Sequence, residues 1–183
     1  MVSRIRDHRL LDALDAIDPV EFEGTVWRVV RDGRDVLAGH TSGGRWDDGT
    51  FNVLYTSMER DGALAEMAYH LRRGQPVIPS KVSYRLYDFT LALERGLRFA
   101  NLEALAAVGL DTARYGALSY AGRVAEYPRS QEIGEAAHML GFDGLIVPNA
   151  RADCLNVVVF SDVVSPDSFG PTTDYGIIDW SGF

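Results

Sequence analysis

The chain has 183 residues, of which 46% are hydrophobic and 24% charged, and 26 acidic residues against 18 basic ones give a net charge of −8. This balance is typical of one globular domain, and the negative charge argues against a broad nucleic-acid-binding surface, which requires clustered Lys and Arg. A single cysteine, Cys154, excludes an intramolecular disulfide and a cysteine-rich zinc site, so we expect a reducing, cytoplasmic setting.

The first predicted elements are a helix and a strand. Apolar residues at helical spacing predict a helix over Arg6–Ile17, and Pro19 ends it. Alternation of side chains predicts a strand over Thr25–Val30. The start of the chain lacks the apolar core of a signal peptide, and no apolar segment is long enough to span a membrane, so we expect no membrane association.

A long Gly- and Asp-rich segment, Asp32–Thr50, follows and predicts an irregular loop. A loop of this length inside a compact domain is usually functional or disordered. The next strand is predicted over Phe51–Thr56, where strand geometry places Tyr55 on the opposite face from Leu54.

The predicted helix from Asp61 to Leu71 carries a candidate functional residue. Asp61 is its N-cap, and Glu66 lies outside the apolar stripe of the helix. The remaining elements are predicted to be a strand over Val77–Leu86, a short helix from Asn101 to near Gly109, a helix from after Ser130 to Leu140, and strands over Leu145–Val147 and Leu155–Phe160. The last twenty residues are a Pro/Gly/Asp-rich tail that ends in Trp180 and Phe183. We therefore expect one mixed α/β domain over residues 1–183.

Several common catalytic motifs do not occur in the sequence. It has no phosphate-binding GK[ST] loop, no GxSxG elbow, no HExxH and no CxxC pair. The four histidines have unrelated spacings, so we expect no metal site. A serine hydrolase that uses Ser130 and His138 is disfavoured, because it has neither the elbow nor a paired acid.

Seven fragments occur in a characteristic order over about residues 25–160: WRVV, GGRW, VLYTS, ALAE, SQEIGEAA, GFDGLIVP and NVVVF. In this order they resemble the RES domain, a family named for its Arg, Glu and Ser. The combination of GGRW, VLYTS and ALAE within 25 residues is the most specific part. The resemblance implies an α+β fold similar to that of the ADP-ribosyltransferases, with a split, mainly antiparallel β-sheet core and flanking helices.

The resemblance also implies a function. RES-domain proteins are the toxins of RES–Xre toxin–antitoxin pairs. These toxins degrade NAD+ or transfer its ADP-ribose to a cellular protein. A cognate Xre-type antitoxin covers the active site. NAD+ is then the substrate, and no cofactor is expected. The long Gly-rich loop and the tail are candidate contact surfaces for such a partner.

Five residues are candidates for the site. The functional positions of the family fall on Arg28, Arg45, Tyr55 and Glu66. The serine of the family matches Ser130 best, although the family often has a serine after the VP of the later strand, where this chain has Asn149. We therefore expect Glu66, Arg28 and Tyr55 to be catalytic and Arg28, Arg45, Tyr55 and Ser130 to bind NAD+.

The chemistry of the reaction explains why these residue types suit it. Cleavage of the nicotinamide–ribose bond passes through an oxocarbenium-like centre, which a nearby carboxylate such as Glu66 stabilises. The pyrophosphate of NAD+ is dianionic and suits the guanidinium forks of Arg28 and Arg45. An aromatic ring such as Tyr55 can hold nicotinamide by stacking.

Each assignment has a structural alternative. The alternatives are a solvated helix residue for Glu66, a surface residue for Arg28, a loop salt bridge for Arg45, a core-edge aromatic for Tyr55 and a helix N-cap for Ser130. For the whole protein the alternative is a catalytically inactive RES-fold binding module, favoured by Asn149 and the acidic surface. The acceptor of ADP-ribose stays open among water, phosphate and a protein side chain.

Overall fold

The fold is a mixed β-sheet with flanking helices. The structure is a computed structural model that describes residues 7–72, 81–117 and 122–182. The helices of this part of the chain are α1 (His8–Asp15), α2 (Arg60–Arg72), α3 (Leu102–Ala107) and α4 (Arg123–Met139). Its strands are β1 (Val20–Arg31), β2 (Val53–Ser57), β3 (Tyr84–Arg98), β4 (Gly144–Pro148), β5 (Leu155–Phe160) and β6 (Phe169–Ile177). Short 3-10 turns cover Thr112–Arg114, Pro166–Ser168 and Trp180–Gly182.

The strands follow the order β1-β2-β5-β4-β3-β6, and β1 also pairs directly with β3. Strands β3 and β4 pair in parallel, whereas the other observed pairs are antiparallel. The long strand β3 pairs with β1 along one edge and with β4 and β6 along the other. The predicted mixed α/β domain with a mainly antiparallel sheet is therefore confirmed.

The sheet is weakest between β1 and β2. These strands pair at Trp27 and Ser57, whereas β2 pairs along its whole length with β5. Before this point His40 occupies the edge of β2, exchanging backbone hydrogen bonds of 2.8 and 3.0 Å with Val53. The sheet therefore opens beside the Gly-rich loop, and the cavity described below lies at this opening.

Two apolar clusters make up most of the core. One packs the sheet against the helices and includes Leu14, Leu105 and Ile133, each with no exposed surface. The other joins residues of five strands, among them Leu54 of β2. Val53 belongs to the first cluster and Tyr55 packs against it, so the predicted division of β2 into two faces is confirmed.

Helix α4 begins earlier than predicted. The sequence predicted a helix that starts after Ser130, but the structure begins it at Arg123, with Pro128 inside. Proline is unfavourable within a helix, and here the tertiary packing of the helix overrides that local preference. Ser130 consequently lies near the middle of α4, so the alternative role given to it above, that of a helix N-cap, is wrong.

The Pro/Gly/Asp-rich tail contains a strand that the sequence did not predict. Residues Phe169–Ile177 form β6, which pairs with β3 between Arg85 and Leu91. Strand β3 is longer than predicted and presents a free edge there, so a segment with little alternating pattern still forms a strand by pairing with it. Of the predicted strand Val77–Leu86, residues 77–80 lie outside the described residues, and the observed strand begins at Tyr84.

The other predicted elements agree with the structure to within about two residues, except that β1 begins at Val20, five residues before the predicted start. Strand β5 has the predicted bounds, and Asn101 caps α3 by accepting the backbone N–H of Ala104 at 2.9 Å. Helix α2 begins at Arg60, so Asp61 lies within its first turn and the prediction that Asp61 is the N-cap is wrong. In the described ranges no helix has both the length and the apolar character needed to cross a membrane.

Candidate active site

A cavity of about 560 Å³ opens where β1 and β2 separate. Its volume lies within the range of about 300–1,000 Å³ that is usual for small-molecule sites. The described residues that line it include four of the five predicted site residues, Arg28, Arg45, Tyr55 and Glu66. Three of these come from β1, β2 and α2, and Arg45 comes from the Gly-rich loop.

The cavity is positively charged, although the protein as a whole is acidic. Its charged lining residues in the described ranges are five arginines and two carboxylates: Arg28, Arg31, Arg34, Arg45, Arg151, Asp35 and Glu66. A local concentration of guanidinium groups attracts an anionic ligand regardless of the net charge of the molecule. No group of three or more His, Cys, Asp or Glu side chains in the described residues is placed to hold a metal ion.

Arg28 extends from β1 into the loop that follows it. Its guanidinium donates to the backbone carbonyl of Val36 and, at 3.1 Å from both terminal nitrogens, to that of Ala38. Burial lowers the pKa of Arg28 to about 10, and the negative charge of Asp35 partly offsets this by raising it. The side chain is thus still charged at neutral pH, and no carboxylate among the described residues pairs with it.

Tyr55 on β2 is tied to the Gly-rich loop. Its hydroxyl donates to Asp47 Oδ2 at 2.8 Å and accepts the backbone N–H of Trp46 at 2.9 Å. Burial, with the charge of Asp47 as a second cause, raises the pKa of Tyr55 well above its ordinary value. The ring of His40 stacks on that of Tyr55, with centroids 5.7 Å apart. The hydroxyl is therefore used within the protein, and the ring is the part left for a ligand.

Helix α2 brings Glu66 to the cavity. Gly62 near its start allows a close approach to the sheet, because a Cβ there would lie 2.4 Å from Ser57 Oγ and 2.5 Å from Cys154 Sγ. Glu66 is half-buried, and its Oε1 accepts the backbone N–H of Ala150 at 3.2 Å. The same oxygen also accepts the side-chain amide of Asn156 at 3.5 Å, so the carboxylate is held on the cavity wall by one main-chain and one side-chain hydrogen bond.

Arg45 is engaged by neighbouring side chains. Its guanidinium donates to Glu126 of α4 and lies over the rings of Tyr115 and Tyr127, 4.6 and 5.0 Å from their centroids. Burial alone would lower the pKa of Arg45, but the hydrogen bond to Glu126 and the charges of Tyr115 and Glu126 outweigh it and raise the pKa. Arg45 lines the cavity, yet its charge is already compensated within the protein.

Ser130 does not join the other four candidates. It is fully buried in α4, its hydroxyl donates to the carbonyl of Tyr127 at 3.0 Å, and it is not among the residues that line the cavity. His138, its partner in the disfavoured hydrolase hypothesis, instead contacts Asp162 at 3.0 Å. Ser130 can reach a ligand only indirectly, through Tyr127.

Helix α4 instead contributes Gln131 and Gly134 to the site, because both support the Gly-rich loop. The amide of Gln131 donates to the carbonyls of Gly44 and Asp47 at 2.8 and 3.1 Å. Three residues later, a Cβ on Gly134 would lie 1.8 Å from the carbonyl oxygen of Trp46. The loop thus rests directly on the backbone of α4.

The segment after β4 places a fifth arginine at the cavity. Asn149 Oδ1 accepts the backbone N–H groups of Arg151 and Ala152 at 2.7 and 3.0 Å, which forms a tight turn, and its amide donates to Asn156 at 2.8 Å. This turn presents the Ala150 N–H to Glu66 and the Arg151 side chain to the cavity. Asn149 therefore shapes the site although it does not line it.

Sequence reasoning missed several lining residues: His40, Tyr115, Tyr127, Arg151 and Asn156. Tyr115 and Tyr127 come from a region without a regular pattern, so nothing local marks them. Arg151 had a usable signal in the sequence. It lies two residues after Asn149, the position directly after the VP of β4 where the family often has its serine.

The fold and the cavity together define a class: a mixed α/β domain with an arginine-lined cavity, of the size usual for small-molecule sites, where β1 and β2 separate. Residues 25–177 match the RES domain, so the chain belongs to the RES domain family. A solved structure with a similar fold is the M. tuberculosis MbcT–MbcA toxin–antitoxin complex, at 22% sequence identity and a TM-score of 0.76, over 92% of each chain. Comparison with curated proteins gives no match.

Proposed function

We propose that this protein consumes NAD+ as the toxin of a type II toxin–antitoxin pair, with the RES domain in the role of an ADP-ribosyltransferase-like enzyme. The observation that carries the proposal is that Arg28, Tyr55 and Glu66, distant in the sequence, line one positively charged cavity. A dinucleotide is an anionic ligand with two aromatic bases, which suits a cavity lined by arginines and aromatic side chains.

The proposed chemistry breaks the bond between ribose C1′ and the nicotinamide nitrogen. The electron pair of that bond leaves with nicotinamide, and positive charge develops on the ribose. Glu66 stabilises this charge, because a carboxylate fixed by the Ala150 N–H needs no rearrangement at the moment of reaction. An acceptor then forms a new bond to C1′ and loses its proton. The acceptor is water, phosphate or a protein side chain.

The other candidates have binding roles. Arg28 contacts the pyrophosphate, since its half-buried guanidinium has only carbonyl partners among the described residues. The ring of Tyr55 packs against the nicotinamide. Arg45 orders Tyr115 and Tyr127, and Ser130 supports the backbone at Tyr127.

Incubation of the purified protein with NAD+ tests the proposal. We expect release of nicotinamide, detected by mass spectrometry, and the second product identifies the acceptor: ADP-ribose for water, its 1-phosphate for phosphate, or a mass increase on a protein for transfer. Binding of NAD+ without turnover would favour the alternative, a non-catalytic RES-fold module, for which Asn149 at the expected serine position is the motivating observation.

A partner protein follows from the same proposal. An enzyme that consumes NAD+ harms its own cell unless its cavity is covered, and the similar fold of known structure was solved as a toxin–antitoxin complex. We propose an Xre-type antitoxin that occludes the opening between β1 and β2. Expression of the chain alone should arrest growth, whereas Glu66→Ala or Arg28→Ala should not, and a fully toxic Glu66→Ala would refute the assigned role.

A further inference from the structure

The arginines of the cavity differ in whether the protein already compensates their charge. Arg45 pairs with Glu126, and both side chains are nearly buried, at 10% and 5% exposure. Such a pair is costly to break, because the carboxylate would be left buried without a partner. The anion-binding groups of the cavity should therefore be sought among the other guanidiniums.

Arg151 lacks such compensation. Its guanidinium donates to the carbonyl of Gly116 and lies 3.3 Å from the centroid of the Tyr69 ring. No carboxylate among the described residues lies within ion-pair distance of it. Its Nε is buried and has no hydrogen-bond acceptor among those residues. A buried donor without an acceptor is unfavourable, and the cost disappears when a ligand oxygen accepts its hydrogen.

Two further features fix the position of Arg151 beside Glu66. Asn149 fixes the turn on which it sits by accepting its backbone N–H. The same turn provides the Ala150 N–H that orients Glu66. An anion on Arg151 would therefore lie on the same wall as the carboxylate that acts on the ribose.

We propose that Arg151, together with Arg28, forms the anion subsite of this cavity and that its ligand is the pyrophosphate group of a nucleotide. The inference rests on the proposed function and deepens it, because it moves the second phosphate-binding arginine from Arg45 to Arg151. The planar guanidinium suits this role, since it offers parallel N–H donors to two phosphate oxygens.

Titration calorimetry with two probes, ADP-ribose and inorganic pyrophosphate, tests the assignment. Arg151→Gln keeps an amide donor for the Gly116 carbonyl but removes the charge. We expect it to weaken binding of both probes by at least about 10-fold, as the loss of a charge-assisted hydrogen bond implies. Arg151→Lys, which keeps the charge but not the fork, should recover part of the affinity. Thermal melting of each variant confirms that it is folded.

Arg95 provides the matched control. It also donates to a backbone carbonyl, that of Gly141 at 3.2 Å, and lies over an aromatic ring, that of Phe142, but it does not line the cavity. Arg95→Gln should bind both probes as the wild type does.

Two results would overturn the assignment. One is an unchanged affinity of Arg151→Gln for inorganic pyrophosphate, even if ADP-ribose binds less well, because pyrophosphate is the part that the two probes share. The other is a wild-type protein that binds neither probe. NAD+ turnover by the same wild-type sample is measured in parallel. Turnover together with an unchanged affinity of Arg151→Gln for pyrophosphate would refute the subsite alone, whereas the absence of turnover would refute the proposed function.

Discussion

Tyr55 donates its phenolic hydrogen to the buried carboxylate of Asp47 at 2.8 Å. Asp47 has no exposed surface, and its other oxygen has no hydrogen-bond partner among the described residues. The tyrosine hydroxyl is thus a main support of a buried charge and also fixes the loop that carries Trp46. Tyr55 therefore has two roles: its hydroxyl secures the wall of the cavity, and its ring forms part of the surface.

Tyr55→Phe should destabilise the protein measurably. The substitution leaves a buried carboxylate and the Trp46 N–H unpaired, which costs about 1–3 kcal/mol of unfolding free energy. Urea denaturation measures the loss. In the matched control, Tyr175→Phe, the tyrosine also donates to a carboxylate, that of Asp88 at 2.8 Å, but it is 52% exposed. Water replaces its bond, so a loss as large as that of Tyr55→Phe would contradict this account.

Gly134→Ala should displace the Gly-rich loop. The new methyl group would overlap the carbonyl of Trp46. Overpacking of this kind usually costs about 1–3 kcal/mol, and the displaced loop should also weaken NAD+ binding. Thermal unfolding and calorimetry measure the two effects. Gly182→Ala, where the added Cβ meets nothing within 4 Å, is the control and should change neither. Wild-type stability of Gly134→Ala would show that the loop does not rest on α4.

His40 should make folding stability dependent on pH in the weakly acidic range. Burial lowers its pKa below the ordinary 6.5, with the charge of Arg28 acting in the same direction and that of Asp47 against it. The folded protein then holds fewer protons on His40 than the unfolded chain does, so stability falls as pH drops below about 6.5 toward the folded pKa. His40→Gln should reduce this dependence.

The measurement is the unfolding free energy at several pH values between 7.5 and 5.5, by urea denaturation. His8→Gln, at an exposed position at the start of α1, is the control and should keep the wild-type profile. Identical pH profiles for the wild type and His40→Gln would show that the environment of His40 does not favour its neutral form.

The parts of the fold that local pattern dictates were predictable from the sequence. Strands β2 and β5 are short, mainly apolar segments and α2 is a run of good helix formers, and their positions agree with the prediction to within about two residues. Helix α4 and strand β6 were not predicted correctly, because long-range packing and pairing decide them. Helix α4 continues through Pro128 because packing overrides the local preference of proline, and β6 forms because the edge of β3 is free.

The site was predictable only in part for the same reason. Arg28, Arg45, Tyr55 and Glu66 fall in fragments that the family resemblance identifies, and the structure brings them to one cavity. What each side chain contacts depends on residues far along the chain. Arg45 meets Glu126, 81 residues later, and Glu66 meets Ala150, 84 residues later. Local sequence does not reveal such partners. The sequence analysis offered a salt bridge as the alternative role of Arg45, and the structure supplies Glu126 as its partner, but neither that partner nor the turn at Asn149 was predicted.

The rate of NAD+ consumption by the wild type and by Glu66→Gln tests the central claim most directly. Glutamine keeps an oxygen for the Ala150 N–H but removes the charge, so the fold should survive and the oxocarbenium-like state should lose its stabilisation. Glu23→Gln, at an exposed glutamate of β1 outside the cavity, is the matched control. We predict that Glu66→Gln is slower by at least about 100-fold, whereas Glu23→Gln retains wild-type activity. Wild-type turnover by a folded Glu66→Gln, or no turnover by the wild type itself, would contradict the account.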